Sequence, residues 1–133
     1  MQEASLESPK SGRFEFQNWP VYREAVALAK EAQTFCIKLP KTGNQALGDQ
    51  FRRASQSIVL NVAEGSSRNT GKDKINFLRV SKGSAFECAA ICDLALEFGL
   101  LTAEHHDVFQ AKLANIGRML SGMIRYWEKT PSR

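Results

Sequence analysis

Apolar residues recur at helical spacing in four separate stretches of the chain, and turn-forming residues separate these stretches. No stretch shows the sustained alternation of apolar and polar residues that is typical of a strand. Each amphipathic helix must bury its apolar stripe against another helix, so the pattern predicts an all-α fold, an antiparallel up-down-up-down four-helix bundle. The stripe of the second stretch consists of Leu47, Phe51, Ala54, Ile58 and Val62.

Turn residues indicate where the first two helices begin and end. Asn18 is the expected start of the first helix, with Pro20 in its first turn, where a missing N–H costs nothing. Pro40 is expected to stop this helix, because proline lacks the N–H donor and clashes with the preceding turn. The second helix is expected to run from near Asn44 to about Arg68.

Capping residues predict the ends of the other two helices. Thr70, with Asp73 three residues later, predicts the start of the third helix, and Gly99 stands where a left-handed C-terminal residue belongs. Thr102 is the expected cap of the fourth helix. The expected core faces are Tyr22, Ala25, Ala29, Ala32 and Cys36 on the first helix, flanked by Val21, Leu28 and Phe35, then Phe77, Val80, Ser84, Ile91, Leu94, Ala95 and Phe98 on the third, and Phe109, Leu113, Ile116, Leu120, Met123, Ile124 and Trp127 on the fourth.

The length of 133 residues suits a single domain. Residues 1–13 mix Ser, Glu, Pro, Gly and Lys without periodicity, which predicts a flexible N-terminal tail before a bundle over residues 14–130. No apolar run is long enough to span a bilayer, and the N-terminal segment lacks the apolar region of a signal peptide. Three cysteines, an odd number, favour reduced thiols over a disulfide framework, so a cytoplasmic location is expected.

Basic residues are concentrated on the second, third and fourth helices. The formal net charge of +4 and the pI of about 9.1 permit an anionic partner without requiring one. Phosphate contacts need clustered Lys and Arg, although such a run is also typical of a solvated face. Few exposed aromatic side chains are expected, which favours recognition of the nucleic-acid backbone over stacking of unpaired bases. The candidate nucleic-acid-binding residues are Arg52, Arg68, Lys72, Lys74, Arg79, Lys82, Arg118, Arg125 and Lys129.

A stripe of polar residues on the second helix lies beside its apolar stripe instead of opposite to it. This placement favours a structural polar seam, in which Arg53 or Asn61 bonds to Glu87 or Ser84 and fixes the register of two helices. The alternative is a catalytic or binding pocket built from Arg53, Asn61, Glu64 and Glu87. The predicted seam consists of Arg53, Ser57, Asn61, Glu64, Ser84 and Glu87.

Phe86 is expected to point away from the apolar face of the third helix. Together with Gly83 and Ala90 it forms a patch of one aromatic and two small residues that suits a contact with another subunit. A single exposed phenylalanine is the alternative. We therefore predict an oligomer interface at Gly83, Phe86 and Ala90.

The sequence does not support a phosphate-binding loop, a metal site or a catalytic site. The segment GSSRNTGKD (residues 65–73) resembles a P-loop, but Asp73 stands where Ser or Thr is needed and no strand precedes the segment. Cys88 and Cys92 are four residues apart on one helix, and only His105 and His106 could add ligands, so core thiols are expected instead of a metal site. No catalytic residue, metal or cofactor is predicted, and the chain is expected not to be an enzyme.

Several runs of residues, taken together, form a family pattern. They are Trp19 at the first helix, Gln50-Phe51-Arg52-Arg53-Ala54, Ser57-Ile58 and Asn61-Val62-Ala63-Glu64-Gly65 on the second, and Phe77-Leu78, Gly83-Ser84-Ala85 and Glu87 on the third. Over about residues 14 to 128 the sequence resembles the four-helix bundle proteins encoded by intervening sequences of bacterial 23S ribosomal RNA genes.

This resemblance implies an up-down four-helix bundle that assembles into a ring-like homopentamer. It also implies kinship with the accessory proteins of diversity-generating retroelements, which engage a reverse transcriptase and nucleic acid, and it implies no established catalytic activity. With the basic residues, it leads to the hypothesis of a homo-oligomer that binds RNA, DNA or a nucleic-acid-handling partner. The alternative is a protein–protein adaptor that docks an acidic protein and binds no nucleic acid directly.

Overall fold

The computed structural model describes residues 13–40 and 43–130. This part of the chain contains helices and no strand, so the predicted all-α bundle is confirmed. None of the helices in these residues is both long and apolar enough to cross a membrane. The elements are a short 3₁₀ helix (Glu15–Asn18), α1 (Pro20–Ile37), α2 (Gln45–Ser66), α3 (Gly71–Glu97) and α4 (Ala103–Lys129).

The predicted helix ends lie close to the observed ones, and α1 ends at Ile37, three residues before the expected stop at Pro40. Asn18 ends the 3₁₀ helix, and Trp19 is the N-cap of α1, so α1 begins at Pro20. Helix α2 ends at Ser66 instead of Arg68. The predicted tail over residues 1–13 lies outside the described residues, except for Arg13.

The predicted capping residues of α3 and α4 are confirmed. The Thr70 hydroxyl accepts a hydrogen bond from the Asp73 N–H at 3.1 Å, and the Thr102 hydroxyl accepts one from the His105 N–H at 3.1 Å. Gly99 follows α3 with a φ of 73°, a conformation that residues with a Cβ rarely adopt. These caps fix the short turn between α3 and α4.

Helices α2 and α3 are antiparallel. Ser84 on α3 donates a hydrogen bond to Ser57 on α2, with 2.8 Å between the oxygen atoms. Further along the pair, the Arg68 guanidinium lies 4.6 Å from the centroid of the Phe77 ring. The residue number rises along α2 as it falls along α3, which is the geometry of adjacent antiparallel helices.

Helices α3 and α4 are antiparallel in the same way. The Gln110 amide donates to the Ala89 carbonyl oxygen at 3.0 Å, and Arg79 pairs with Glu128 at 3.2 Å. Two successive antiparallel pairs are consistent with an up-down-up-down arrangement.

An aromatic cluster joins three helices inside the bundle, near the end of α1 and the starts of α2 and α4. Phe51 on α2 lies 5.9 Å from Phe35 on α1 and 5.3 Å from Phe109 on α4, measured between ring centroids. Both pairs are edge-to-face, the arrangement that aromatic rings prefer. Phe51 is almost completely buried, at 1% exposure.

The core face of α4 was predicted well, and that of α3 only in part. Every buried residue of α4 belongs to its predicted stripe. On α3, by contrast, Val80, Leu94 and Phe98 are exposed. Helix α3 contacts both α2 and α4, so its buried face is wide, and the middle of that face carries small side chains that an apolar stripe does not reveal. The buried residues of α3 are Ile75, Leu78, Ser81, Ser84, Ala85, Cys88, Ile91, Cys92 and Ala95.

Candidate nucleic-acid interface

An open groove of about 670 Å³ runs along the α3–α4 pair. Its walls carry an aromatic ring and basic side chains, and most of the remaining lining is small or apolar. We call this surface the α3–α4 groove. Its lining residues are Lys82, Ala85, Phe86, Ala89, Gln110, Leu113, Ala114, Gly117, Arg118, Ser121 and Arg125.

Three of the predicted phosphate-binding residues meet in the α3–α4 groove. Lys82 comes from α3, and Arg118 and Arg125 come from α4. Among the residues that the structure describes, those lining the groove include no carboxylate. A fourth cation, Arg79, lines an adjoining hollow of about 510 Å³ and pairs with Glu128. The antiparallel register of α3 and α4 thus places cations from distant parts of the sequence on one surface.

Two other predicted basic residues are engaged in ion pairs with acidic residues of α2. Arg52 pairs with Asp49 one turn earlier, and Arg68 pairs with Glu64 at 2.6 Å. Each pair is partly exposed, so each neutralises a charge at the surface without much effect on stability. These two arginines lie outside the α3–α4 groove.

The remaining predicted basic residues lie near the start of α3 and the end of α4. The Lys74 ammonium donates to the Ser66 carbonyl oxygen at 3.1 Å and lies 5.2 Å from the centroid of the Trp127 ring. Lys72 and Lys129 are exposed. Lys74 therefore helps to hold three helices together, while Lys72 and Lys129 extend the basic surface beyond the groove.

The polar seam is smaller than the one expected. Ser84 donates to the Ser57 hydroxyl, and the Asn61 amide donates to that same hydroxyl at 3.0 Å and to the Ser57 carbonyl oxygen at 2.8 Å. Burying a charged group is costly, and the longer charged side chains of the stripe reach water instead. The predicted members that are exposed are Arg53, Glu64 and Glu87.

A second hydroxyl contact between α2 and α3 was not predicted. Ser81 is fully buried and donates to the Ile58 carbonyl oxygen at 2.9 Å. The sequence signal for it was the position of Ser81, three residues before Ser84 and seven before Cys88, which places it beside the predicted stripe on the helix surface. Each such bond removes an unsatisfied buried hydroxyl.

The three residues predicted at an oligomer interface are all exposed on α3. Phe86 has 65% of its surface exposed, and its ring lies 5.8 Å from the Lys82 ammonium nitrogen. Gly83 and Ala90 are exposed beside it. Phe86 lines the α3–α4 groove, and Gly83 lines the adjoining hollow.

Sequence reasoning did not find the small residues that open the groove. Ala114, Gly117 and Ser121 recur on α4 at intervals of three and four residues, next to the two groove arginines. A Cβ added at Gly117 would meet no atom within 4 Å, so the groove is open at this point. The spacing of small residues was the available signal.

A histidine and an aspartate lie beside the end of the groove that is nearest the α3–α4 turn. His106 Nε2 lies 2.7 Å from a carboxylate oxygen of Asp93, and the Gln110 amide bonds to the same oxygen at 3.2 Å. The hydrogen bond to Asp93 raises the pKa of His106 above its ordinary value, because it favours the protonated ring. This network ties α3 to α4 beside the groove.

The thiols of α3 lie inside the bundle. Cys88 and Cys92 are at most 1% exposed, and burial raises the pKa of each to about 12. Among the residues that the structure describes, no three His, Cys, Asp or Glu side chains lie close enough together to hold a metal ion.

A family model and a solved structure are both similar to this chain. The model of a family described as 23S rRNA-intervening sequence protein matches residues 17–122. A crystal structure of a protein of unknown function from the S23 ribosomal protein family of Bacteroides thetaiotaomicron VPI-5482 is similar, with a TM-score of 0.72 and 21% sequence identity. That similarity covers 83% of this chain and 99% of the other, and it shows a shared fold. None of the curated proteins matches the sequence.

Proposed function

The chain belongs to the family of 23S rRNA-intervening sequence proteins, and we propose that it is a non-enzymatic, homo-oligomeric protein that binds nucleic acid through the α3–α4 groove. The observation that carries this proposal is the meeting of Lys82, Arg118 and Arg125 in one groove. Cations from two helices surround a surface without a nearby carboxylate among its described lining residues, which suits a polyanion.

The spacing of the cations in the groove suits a phosphate backbone. Arginine presents a planar fork of donors that matches the oxygens of a phosphate or a carboxylate group, so the evidence for a strand comes from the distance between the arginines. Arg118 and Arg125 lie seven residues apart on α4, about two helical turns or roughly 10 Å along the axis. Two arginines at this separation can contact separate phosphates of one strand while Lys82 contacts the strand from the opposite wall.

Binding to a labelled structured RNA with single-stranded loops tests the proposal. If the three groove cations each contact a phosphate, the logarithm of the association constant should fall with the logarithm of salt concentration at a slope of about −2. Fluorescence anisotropy over a salt series measures this slope. Affinity that is undetectable at low salt, or that does not change with salt, would contradict the proposal.

Reversing the two arginine charges should weaken this binding roughly 100-fold at low salt, because two charge-assisted hydrogen bonds are lost. The variant is Arg118→Glu with Arg125→Glu, and both residues are exposed. The control is Arg53→Glu with Lys38→Glu, which makes the same change of net charge at exposed positions outside the groove. Equal losses in the two double variants would show that overall charge, and not the groove, determines affinity.

The homo-oligomeric part of the proposal is supported by exposed apolar side chains on α2 and α3. Leu60, Val80 and Leu94 are 64%, 52% and 46% exposed, and an oligomer contact would cover such side chains.

Sedimentation at micromolar concentration should give a mass several times that of one chain, and Val80→Glu should lower that mass. A stable monomer would contradict this part. The sequence-based interface at Gly83, Phe86 and Ala90 stays a prediction, which Phe86→Ala tests in the same way.

A further inference from the structure

Phe86 is an aromatic residue at the surface among cations, which is an unusual environment for a ring that serves only to pack. Its ring is mostly exposed, the Lys82 ammonium lies over it, and both guanidinium groups of the groove line the same surface. The sequence had suggested that stacking surfaces are scarce on this chain. The structure places one such surface at the basic groove.

The size of the groove suits a ligand that inserts a flat group. Its volume of about 670 Å³ lies within the range of pockets that hold small molecules. The opposite wall carries Gly117, where no side chain fills the space. A planar ring can therefore enter beside Phe86 without any rearrangement of α3 or α4.

We propose that the α3–α4 groove takes an unpaired base of a single-stranded nucleic acid, which stacks on Phe86 while Arg118 and Arg125 contact the flanking phosphates. This inference rests on the proposed function and specifies its ligand. Every base has a π-face, so stacking on one phenylalanine selects unpaired nucleotides without selecting sequence. In a duplex the bases stack on each other and present only their edges, so the ring has no partner there.

Phe86→Ala should lower the affinity for a labelled single-stranded oligoribonucleotide about 5- to 150-fold, the effect expected for one lost base–aromatic stack. Its affinity for a duplex of the same sequence should stay unchanged, because the phosphate contacts remain. Phe86→Trp should retain the single-strand affinity. The matched control is Phe98→Ala, which removes another exposed phenylalanine, at the C-cap of α3, that does not line the groove. Anisotropy titrations at one salt concentration measure all of these affinities.

Gly117→Leu provides a second, independent variant. The added side chain enters open space, so the helix keeps its geometry while the groove is filled. It should lower single-strand affinity to a similar extent as Phe86→Ala and spare duplex affinity. Circular dichroism confirms that each variant is folded.

The outcomes separate this inference from the proposed function. If the wild-type protein binds neither probe, the proposed function fails. If it binds but Phe86→Ala lowers both affinities equally or neither, the base-stacking inference fails alone. If Phe86→Ala lowers the sedimenting mass, a second copy of the chain covers the ring, and the inference is overturned in favour of the predicted subunit contact.

Discussion

Replacing Phe51 with alanine is expected to lower the free energy of unfolding by about 3–5 kcal/mol. Phe51 is 1% exposed and contacts the rings of Phe35 and Phe109, so its removal leaves a cavity among three helices. The side chains around this position come from three helices, which limits how far the bundle can collapse into the space. The loss would be a large fraction of the stability of an ordinary domain, which is about 5–15 kcal/mol.

Urea denaturation followed by circular dichroism measures this loss, at one protein concentration because assembly adds to apparent stability. Phe98→Ala is the control, since it removes the same ring from an exposed position and should change stability by no more than about 0.5 kcal/mol. A loss below about 1.5 kcal/mol for Phe51→Ala would show that the aromatic cluster is not a rigid part of the core.

Gly65→Val is expected to destabilise the bundle by about 1–3 kcal/mol through overpacking. A Cβ at this position would lie 3.1 Å from the Phe77 Cβ and 3.4 Å from the Lys74 carbonyl oxygen. The carbonyl belongs to the backbone of α3 and cannot rotate away, so α2 and α3 must move apart to admit the two methyl groups of valine. Gly65 thus allows the close approach of these two helices.

Gly117→Ala is the matched control for this substitution. Both glycines lie inside helices, but a Cβ at Gly117 meets no atom within 4 Å. Alanine there should stabilise the helix by up to about 1 kcal/mol, because it is the better helix former. Opposite signs in urea denaturation are therefore expected. Destabilisation of equal size at both positions would contradict the close-packing role of Gly65.

The comparison of α4 with α3 shows which parts of the fold the sequence can predict. The buried side chains of α4 are all large and apolar, so its stripe from Phe109 to Ile124 marks the buried side correctly. The buried face of α3 also includes Ser81 and Cys88. The Ser81 hydroxyl is satisfied inside the bundle by the Ile58 carbonyl oxygen, and the Cys88 thiol behaves as a small apolar group. Neither fact can be read from hydrophobic periodicity alone.

For the candidate site, the sequence predicts which residues are basic and exposed but not which of them come together. Lys82, Arg118 and Arg125 could be identified as basic and outward-facing, but their meeting in one groove depends on the register between α3 and α4. Arg68 and Lys74 were equally basic, yet each contacts an aromatic ring on a neighbouring helix. Tertiary contacts decide which cations remain available to a ligand. For this reason the composition could suggest the charge of the partner but not where on the surface the partner binds.

The burial of Cys88 and Cys92 protects these two thiols from oxidation and alkylation while the chain is folded. With a pKa of about 12, each thiol is almost never a thiolate at neutral pH, and the thiolate is the form that oxidants and alkylating agents attack. Reaction at either sulfur therefore has to wait until α3 separates from its neighbours. The rate of oxidative damage at these positions therefore depends on how often the bundle opens as well as on the oxidant.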